Sequence, residues 1–150
     1  MVRPVKLEDI PAWLELAREV EPLFGPMAES EDFRSGIRQA ILDGSAFCCE
    51  TEGGTIGGII ALHREGNEIA WLAVSSACRG KGIGRLLMET AMRELDPTAD
   101  ILVQTFAAGL GSGTSARTLF TGFGFTDAGA AGKNPAGIDT VIMRRRPQNL

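Results

Sequence analysis

Residues 79–84, RGKGIG, set three glycines among two cations and an isoleucine, where an apolar run gives way to an amphipathic one. Glycine weakens the first turn of a helix, so its use there points to a backbone that something must approach closely. Free N–H groups and the positive end of a helix both favour an anion, which makes phosphate binding the first chemistry to consider. The spacing excludes a Walker A loop: Gly80-Lys81 is followed by Gly82, not Ser or Thr, and no glycine stands five residues before Gly80. It also excludes G-x-G-x-x-G, since Gly80, Gly82 and Gly84 alternate as G-x-G-x-G. A tight strand-to-helix turn with surface cations fits the same six residues. A second run, GLGSG at 109–113, follows its strand only after several loop residues and is read as a loop.

Three further groups are reactive by type. Cys78 adjoins the glycine run, where a helix N-terminus would lower a thiol pKa, but no histidine is near it in sequence. His63 closes a strand and is read as exposed or structural. Glu68 opens the next strand, six residues before Val74, which strict alternation places on the same strand face.

The elements that must position these groups follow from periodicity. A short strand is expected at 2–5. A helix then carries Ile10, Trp13, Leu14, Ala17 and Val20 at helical spacing, and EPLFGPM (21–27) breaks it with two prolines and a glycine. Ser30, followed by Glu31 and Asp32, suits the cap of a second helix that bears Phe33, Ile37 and Ile41 and ends at Asp43-Gly44. Strands at 46–51, 55–62 and 68–74 form a meander, and a helix at 83–95 stops at Asp96-Pro97. A strand at 101–105, a short helix near 114–121 and strands near 123–128 and 139–145 complete the chain, with the Gly/Ala-rich 127–139 segment taken as loop. Helices between strands, with meanders at both ends, mean one domain built on a mixed sheet covered by helices.

Composition sets limits on partners. The 150 residues carry a net charge of −4 and 44% hydrophobic residues, ordinary for a globular domain and a poor match to a nucleic-acid binder. Arg144, Arg145 and Arg146 form the only dense basic run and are read as a solvated tail. Cys48, Cys49 and Cys78 lack metal-ligand spacing and the chain has one histidine, so no metal site is expected and reduced cytoplasmic thiols are. The N-terminus has no secretory h-region and no apolar run spans a bilayer, so neither export nor a membrane is expected.

The stretch WLAVSSACRGKGIGRLLMETAMREL (71–95) resembles motif A of the GNAT-superfamily N-acetyltransferases. That motif's signature is Arg or Gln, two residues, Gly, one residue, Gly, and it is matched by Arg79, Gly82 and Gly84. SARTLFTGFGF (115–125) resembles the superfamily's motif B, and the two motifs stand in the right order. The resemblance implies a three-layer α+β fold, with a mixed, mostly antiparallel twisted sheet of about six or seven strands flanked by about four helices. It implies acetyl-CoA as acyl donor, with the pyrophosphate on the amides of Arg79, Gly80, Lys81, Gly82, Ile83 and Gly84, and Lys81 and Arg85 offsetting its charge. Pantetheine would fill a gap between strands 68–74 and 101–105, held by the main chain of Leu72, Ala73 and Val74. The Val74 amide would then be an oxyanion donor, and Ser115 and Phe120 would line the cofactor channel.

For the chemistry, the resemblance implies direct acetyl transfer to a primary amine of a small molecule or a peptide, without a covalent acyl-enzyme. An alkylammonium is only about one part in a thousand neutral at pH 7, so a base must help. Glu68 matches the general-base position of histone-type members; a rim glutamate is the other reading. Many members place a tyrosine near the sulfur, whereas this chain has Phe120 there and no tyrosine at all. Departure as a thiolate or through water, or help from Ser115 or Thr118, stand as alternatives. The acceptor pocket would be lined by Glu21, Phe24 and Met27 together with the 127–139 segment. A non-catalytic acyl-CoA-binding domain of the same fold is the rival reading, and monomer and homodimer are both open.

Overall fold

The computed structural model describes residues 1–109 and 111–147; Leu110, within the second glycine run, and the last three residues lie outside the described part. Seven strands form one sheet: β1 Val2–Pro4, β2 Ala46–Glu50, β3 Ile56–His63, β4 Glu68–Val74, β5 Ile101–Phe106, β6 Thr126–Lys133 and β7 Asp139–Arg145. Four α-helices cover it: α1 Ile10–Phe24, α2 Glu31–Leu42, α3 Ile83–Glu94 and α4 Thr114–Gly122. The spatial order is β1-β2-β3-β4-β5-β7-β6, with β4–β5 parallel and every other neighbouring pair antiparallel. The expected mixed α+β architecture is the observed one.

Each sheet face has its own core. Trp13, Leu16 and Val20 of α1 and Ile37 of α2 pack with Cys48, Ile59 and Ala73 on one face. Leu87 and Met88 of α3 and Phe120 of α4 pack with Ile60, Val103 and Met143 on the other. Burial in the first of these cores pushes the Cys48 thiol up to about 11, so it behaves as a small apolar residue.

Helix α1 departs from its expected end. It runs through Pro22 to Phe24 and stops at Gly25, whose φ of 100° ends the helical path. Pro22 is tolerated because it lies in the exposed last turn, where its missing N–H leaves a carbonyl that water can satisfy. Helix α2 begins as its sequence signals, with Ser30 Oγ accepting from the Phe33 N–H at 3.3 Å. The Gly/Ala-rich segment taken as loop is instead mostly strand: Thr126–Lys133 pairs with β7 as an exposed edge, with two register shifts. Pairing to β7 overrides the low strand propensity of Ala and Gly there.

Two local features shape the centre of the sheet. Ala61 faces Trp71 while Leu62 faces Ile69, so Ala70 is the extra residue of a bulge. Strands β4 and β5 pair only at Glu68↔Leu102 and Ile69↔Val103, and beyond that point they separate. Asn67 fixes where this short pairing begins. With φ of +50°, it donates its side-chain N–H to the carbonyls of Asp96 and Asp100 and accepts from the Asp96 N–H. Its own carbonyl accepts from the Leu102 N–H at 3.2 Å. Removing the side-chain bonds while keeping a Cβ at positive φ should cost about 2–3 kcal/mol in Asn67→Ala, with Asn67→Gly recovering about 1 kcal/mol of it. Urea unfolding measures both, and equal stability of the two variants would show that φ strain contributes nothing there.

Candidate functional site

The glycine run makes an uncapped helix start. Gly80 and Gly82 hold φ of 77° and 79°, and Gly82 is the N-cap of α3 with no side chain to cap it. Bonds within the chain stop at Cys78 N–H to the Ser75 carbonyl and resume at Leu86 N–H to the Gly82 carbonyl. Between them, no oxygen among the described residues accepts from the main-chain N–H groups of Arg79 through Arg85. A Cβ at Gly80 or Gly82 would project into open space, whereas one at Gly84 would lie 3.1 Å from Leu119. The first two glycines therefore supply conformation, and the third supplies close packing of α3 on α4. Parallel N–H groups at a helix N-terminus form an anion cradle.

This cradle opens into a cleft of about 560 Å³ that passes through the sheet where β4 and β5 part. On the α3/α4 side Ile83, Ala116, Leu119, Phe120 and Val103 wall it; on the α1/α2 side Val20, Leu23, Phe24, Trp71 and Phe106 do. The Ser75 N–H donates to the Gly57 carbonyl across β3 at 2.8 Å. Alternation then turns the amides of Val74 and Leu72 away from β3, into the slot, and that of Ala73 toward β3. Phe24 lies in ring contact with Trp71 and Phe106, with centroids 6.1 and 5.9 Å away.

The carboxylates lie around the cleft, and none lines it among the described residues. Glu19 of α1 accepts from the Ser75 Oγ at 3.0 Å and from the Ser76 N–H at 2.6 Å, fastening α1 to the turn before the cradle. The Ser76 N–H is the main reason its carboxyl sits below the ordinary value of 4.5. Glu21 is held low by the N–H groups of Met27 and Ala28, which it accepts at 2.8 and 2.9 Å. Glu68 pairs with His63, with Oε1 and Nδ1 3.0 Å apart. Strict alternation puts Glu68 on the face of Val74, and the bulge at Ala70 reverses this. Ile69, Leu72 and Val74 face α3/α4, so Glu68 shares the α1/α2 face with Trp71.

Of the residues singled out from the sequence, Leu72, Ala73, Val74, Arg79, Gly80, Gly82, Ile83, Gly84, Arg85, Ser115, Phe120 and Phe24 all line the cleft. Lys81, Glu21, Met27 and Glu68 lie outside that lining; Lys81 is exposed, and Met27 packs into the α1/α2-side core. Thr118 faces an outer groove between α3 and α4 with Arg85 and Phe123. Cys78 lines the loop end, without a histidine among the cleft-lining residues. Sequence reading missed Glu19, Gln104, Phe106 and Thr140, and reached Asn134 only as part of the 127–139 segment. Only Gln104 carries a signal, as the one amide in the apolar strand ILVQTF. Among the described residues no three His, Cys, Asp or Glu side chains converge as metal ligands, and no helix is long and apolar enough to cross a membrane.

A central sheet split beside an uncapped helix start sets an anion cradle next to an open strand edge. The profile of the acetyltransferase (GNAT) domain matches residues 21–147, and the chain belongs to that family of N-acetyltransferases. No curated protein matches it by sequence. Its fold is similar to that of the ribosomal-protein-alanine N-acetyltransferase from Brucella melitensis, at 21% identity, covering 97% of this chain and 99% of that one with a TM-score of 0.76. It is also similar to a GNAT-superfamily phosphinothricin acetyltransferase from Sinorhizobium meliloti in complex with AcCoA, at 20% identity over 98% and 88% of the chains and a TM-score of 0.72. A GCN5-related N-acetyltransferase from Kribbella flavida matches at 22% identity over 97% and 96%, with a TM-score of 0.70.

Two outcomes are expected from this geometry. Gly82→Val forces a branched residue to φ near +79°, and Gly84→Val collides with Leu119, so both should weaken acetyl-CoA binding at least about tenfold by calorimetry. Wild-type affinity in both folded variants would remove the cradle from the site. The Glu19 clamp has its own pH signature. Because its folded pKa is depressed, its stabilisation is fully present above 4.5 and is lost as pH falls through the lower folded value. The melting-temperature gap between wild type and Glu19→Gln should therefore be open at pH 7 and close toward pH 3, and a gap independent of pH would exclude the clamp.

Proposed function

We propose that the protein transfers an acetyl group from acetyl-CoA directly to a primary amine of a small molecule or peptide, without a covalent acyl-enzyme. The observation that carries this is the run of N–H groups from Arg79 to Arg85 without acceptors, opening into a slot of unpaired strand edge. A pyrophosphate fits the cradle, and an extended amide-bearing chain fits the slot as a missing strand would. Bound there, acetyl-CoA supplies an activated acyl group: a C–N bond to the acceptor forms as the C–S bond breaks, and the electron pair leaves with the thiolate.

The residues then have separate tasks. Arg79 and Arg85 at the cradle's rim offset phosphate charge, and exposed Lys81 adds to the local field. The main chain of Leu72, Ala73 and Val74 holds the pantetheine arm, with the Val74 N–H placed to stabilise negative charge on the thioester oxygen. Ser115 lines the channel and Phe120 is a buried wall, in ring contact with Phe125 at 5.8 Å. Phe24 lines the acceptor side, while Glu21 and Met27 shape it by holding the loop after α1. Direct transfer agrees with the cleft lining, where no histidine or carboxylate accompanies Cys78 among the described residues.

Glu68 is proposed as the acceptor's base. It stands two residues beyond Ala70, which lines the cleft, and on the acceptor face, so a water would carry the proton between them. Glu68→Gln should lower kcat by about 10²–10⁴ and leave acetyl-CoA affinity unchanged, with the residual rate still rising with pH as free amine becomes available. Retention of the wild-type rate would make Glu68 a rim residue. Thiol release from acetyl-CoA across a panel of primary amines tests the function itself: an acyl-CoA-binding domain without turnover would bind the donor and release none.

A further inference from the structure

Resting on the acetyltransferase reading, we infer that the acceptor is a small arylalkylamine without a carboxylate, and not a peptide. The acceptor side of the cleft is walled by Val20, Leu23, Phe24, Trp71 and Phe106. The ionisable groups that line the cleft, among the described residues, are Cys78, Arg79 and Arg85, all at the cradle end. A carboxylate on the acceptor would therefore lose its water with no cation to meet it, which apolar surroundings penalise heavily. Flat rings, by contrast, find offset and edge-on partners in Phe24, Trp71 and Phe106, whose faces also attract an approaching ammonium.

On this side the Trp71 Nε1–H is buried without a partner among the described residues, while the side chains of Asn134 and Thr140 are engaged. Asn134 donates to the Leu23 carbonyl at 2.8 Å and accepts from the N–H groups of Ala136 and Ile138 at 2.9 and 3.1 Å. Gln104 donates to the Thr140 Oγ at 3.0 Å, and Thr140 in turn donates to the Gly132 carbonyl at 2.8 Å. The Gln104 Oε1 has no partner among the described residues, so it is a free acceptor for one amine N–H. With one free acceptor and one buried donor on this side, the lining suits an acceptor with few polar groups beyond the reacting nitrogen.

The same Asn134 closes the route a polypeptide would need. It ties the β6–β7 turn to the end of α1, and Pro135 packs so closely on Gly25 that a Cβ there would lie 2.4 Å from the proline Cβ. That contact bounds the acceptor side at the end of α1, and on this inference it stops a polypeptide from continuing there.

Four acceptors decide this: 2-phenylethylamine, L-phenylalanine, spermidine and a Phe-Ala-Ala-Ala amide, each assayed for thiol release with acetyl-CoA. In parallel, calorimetry measures acetyl-CoA binding, and 2-phenylethylamine binding to protein saturated with coenzyme A. 2-Phenylethylamine should exceed L-phenylalanine and spermidine at least about tenfold in kcat/KM, and the peptide should show no turnover. Phe24→Ala should raise KM for 2-phenylethylamine about tenfold without changing acetyl-CoA affinity. If acetyl-CoA does not bind, the acetyltransferase reading falls and this inference with it. If acetyl-CoA binds but another acceptor matches 2-phenylethylamine, or 2-phenylethylamine neither turns over nor binds, the inference alone is overturned.

Discussion

The structure depends on a ladder that is abandoned in the middle of a sheet. Parallel strands β4 and β5 exchange bonds around Ile69 and Val103 and then part, leaving two inner edges without each other. Unpaired backbone groups inside a protein are costly, and an open edge invites another strand. Here the opening persists because both flanks are held. Asn67 binds the α3–β5 loop at one end, and Phe106 packs so closely on Gly113 at the other that no Cβ could be added there. The slot's amides therefore face a fixed gap, ready for a ligand that presents its own amides at strand spacing.

Charge is distributed on the same plan. The chain as a whole carries −4, yet the cradle places Arg79, Lys81 and Arg85 around the positive end of α3. A local field of this kind acts over roughly 10 Å at moderate salt, so the acidic remainder does not cancel it at the cradle. Glu19 lies close enough to interact with the charge of Arg79, and its oxygens accept from Ser75 and Ser76 and hold the turn in place. The proposed donor cradle and the Glu19 clamp thus meet at one short turn, whereas the opposite side of the cleft is walled by uncharged residues.

Much of this was legible in the sequence because it is local. The apolar run 68–74, the glycine spacing of the cradle and the Ser30 cap each depend on a few neighbouring residues. What was not legible depends on partners far along the chain. The bulge at Ala70 arises from register against β3 and turns Glu68 to the opposite face from the one alternation assigns. The strand at Thr126–Lys133 exists because β7 pairs with it, since its Ala and Gly residues alone favour loop. The bond from Asn134 to the Leu23 carbonyl joins residues 111 apart, a contact that no spacing rule encodes.

The distribution of polar groups bears on which proton transfer needs help. A thiol with a pKa near 8.5 gives a stable thiolate, so sulfur leaves the tetrahedral adduct far more readily than nitrogen does and does not require a proton donor at neutral pH. The acceptor nitrogen does have to lose a proton for the C–N bond to persist. A phenylalanine at position 120, buried against Phe125 beside the channel, is compatible with the first step, because nothing there needs to be protonated. The second step calls for a base on the α1/α2 side. There the carboxylates of Glu19 and Glu21 are committed to backbone N–H groups that hold their pKa values down, which makes them weak bases. Among the described residues the Glu68 carboxylate makes no such bond and instead lies 3.0 Å from the His63 imidazole, which is why it is the carboxylate we propose for that base.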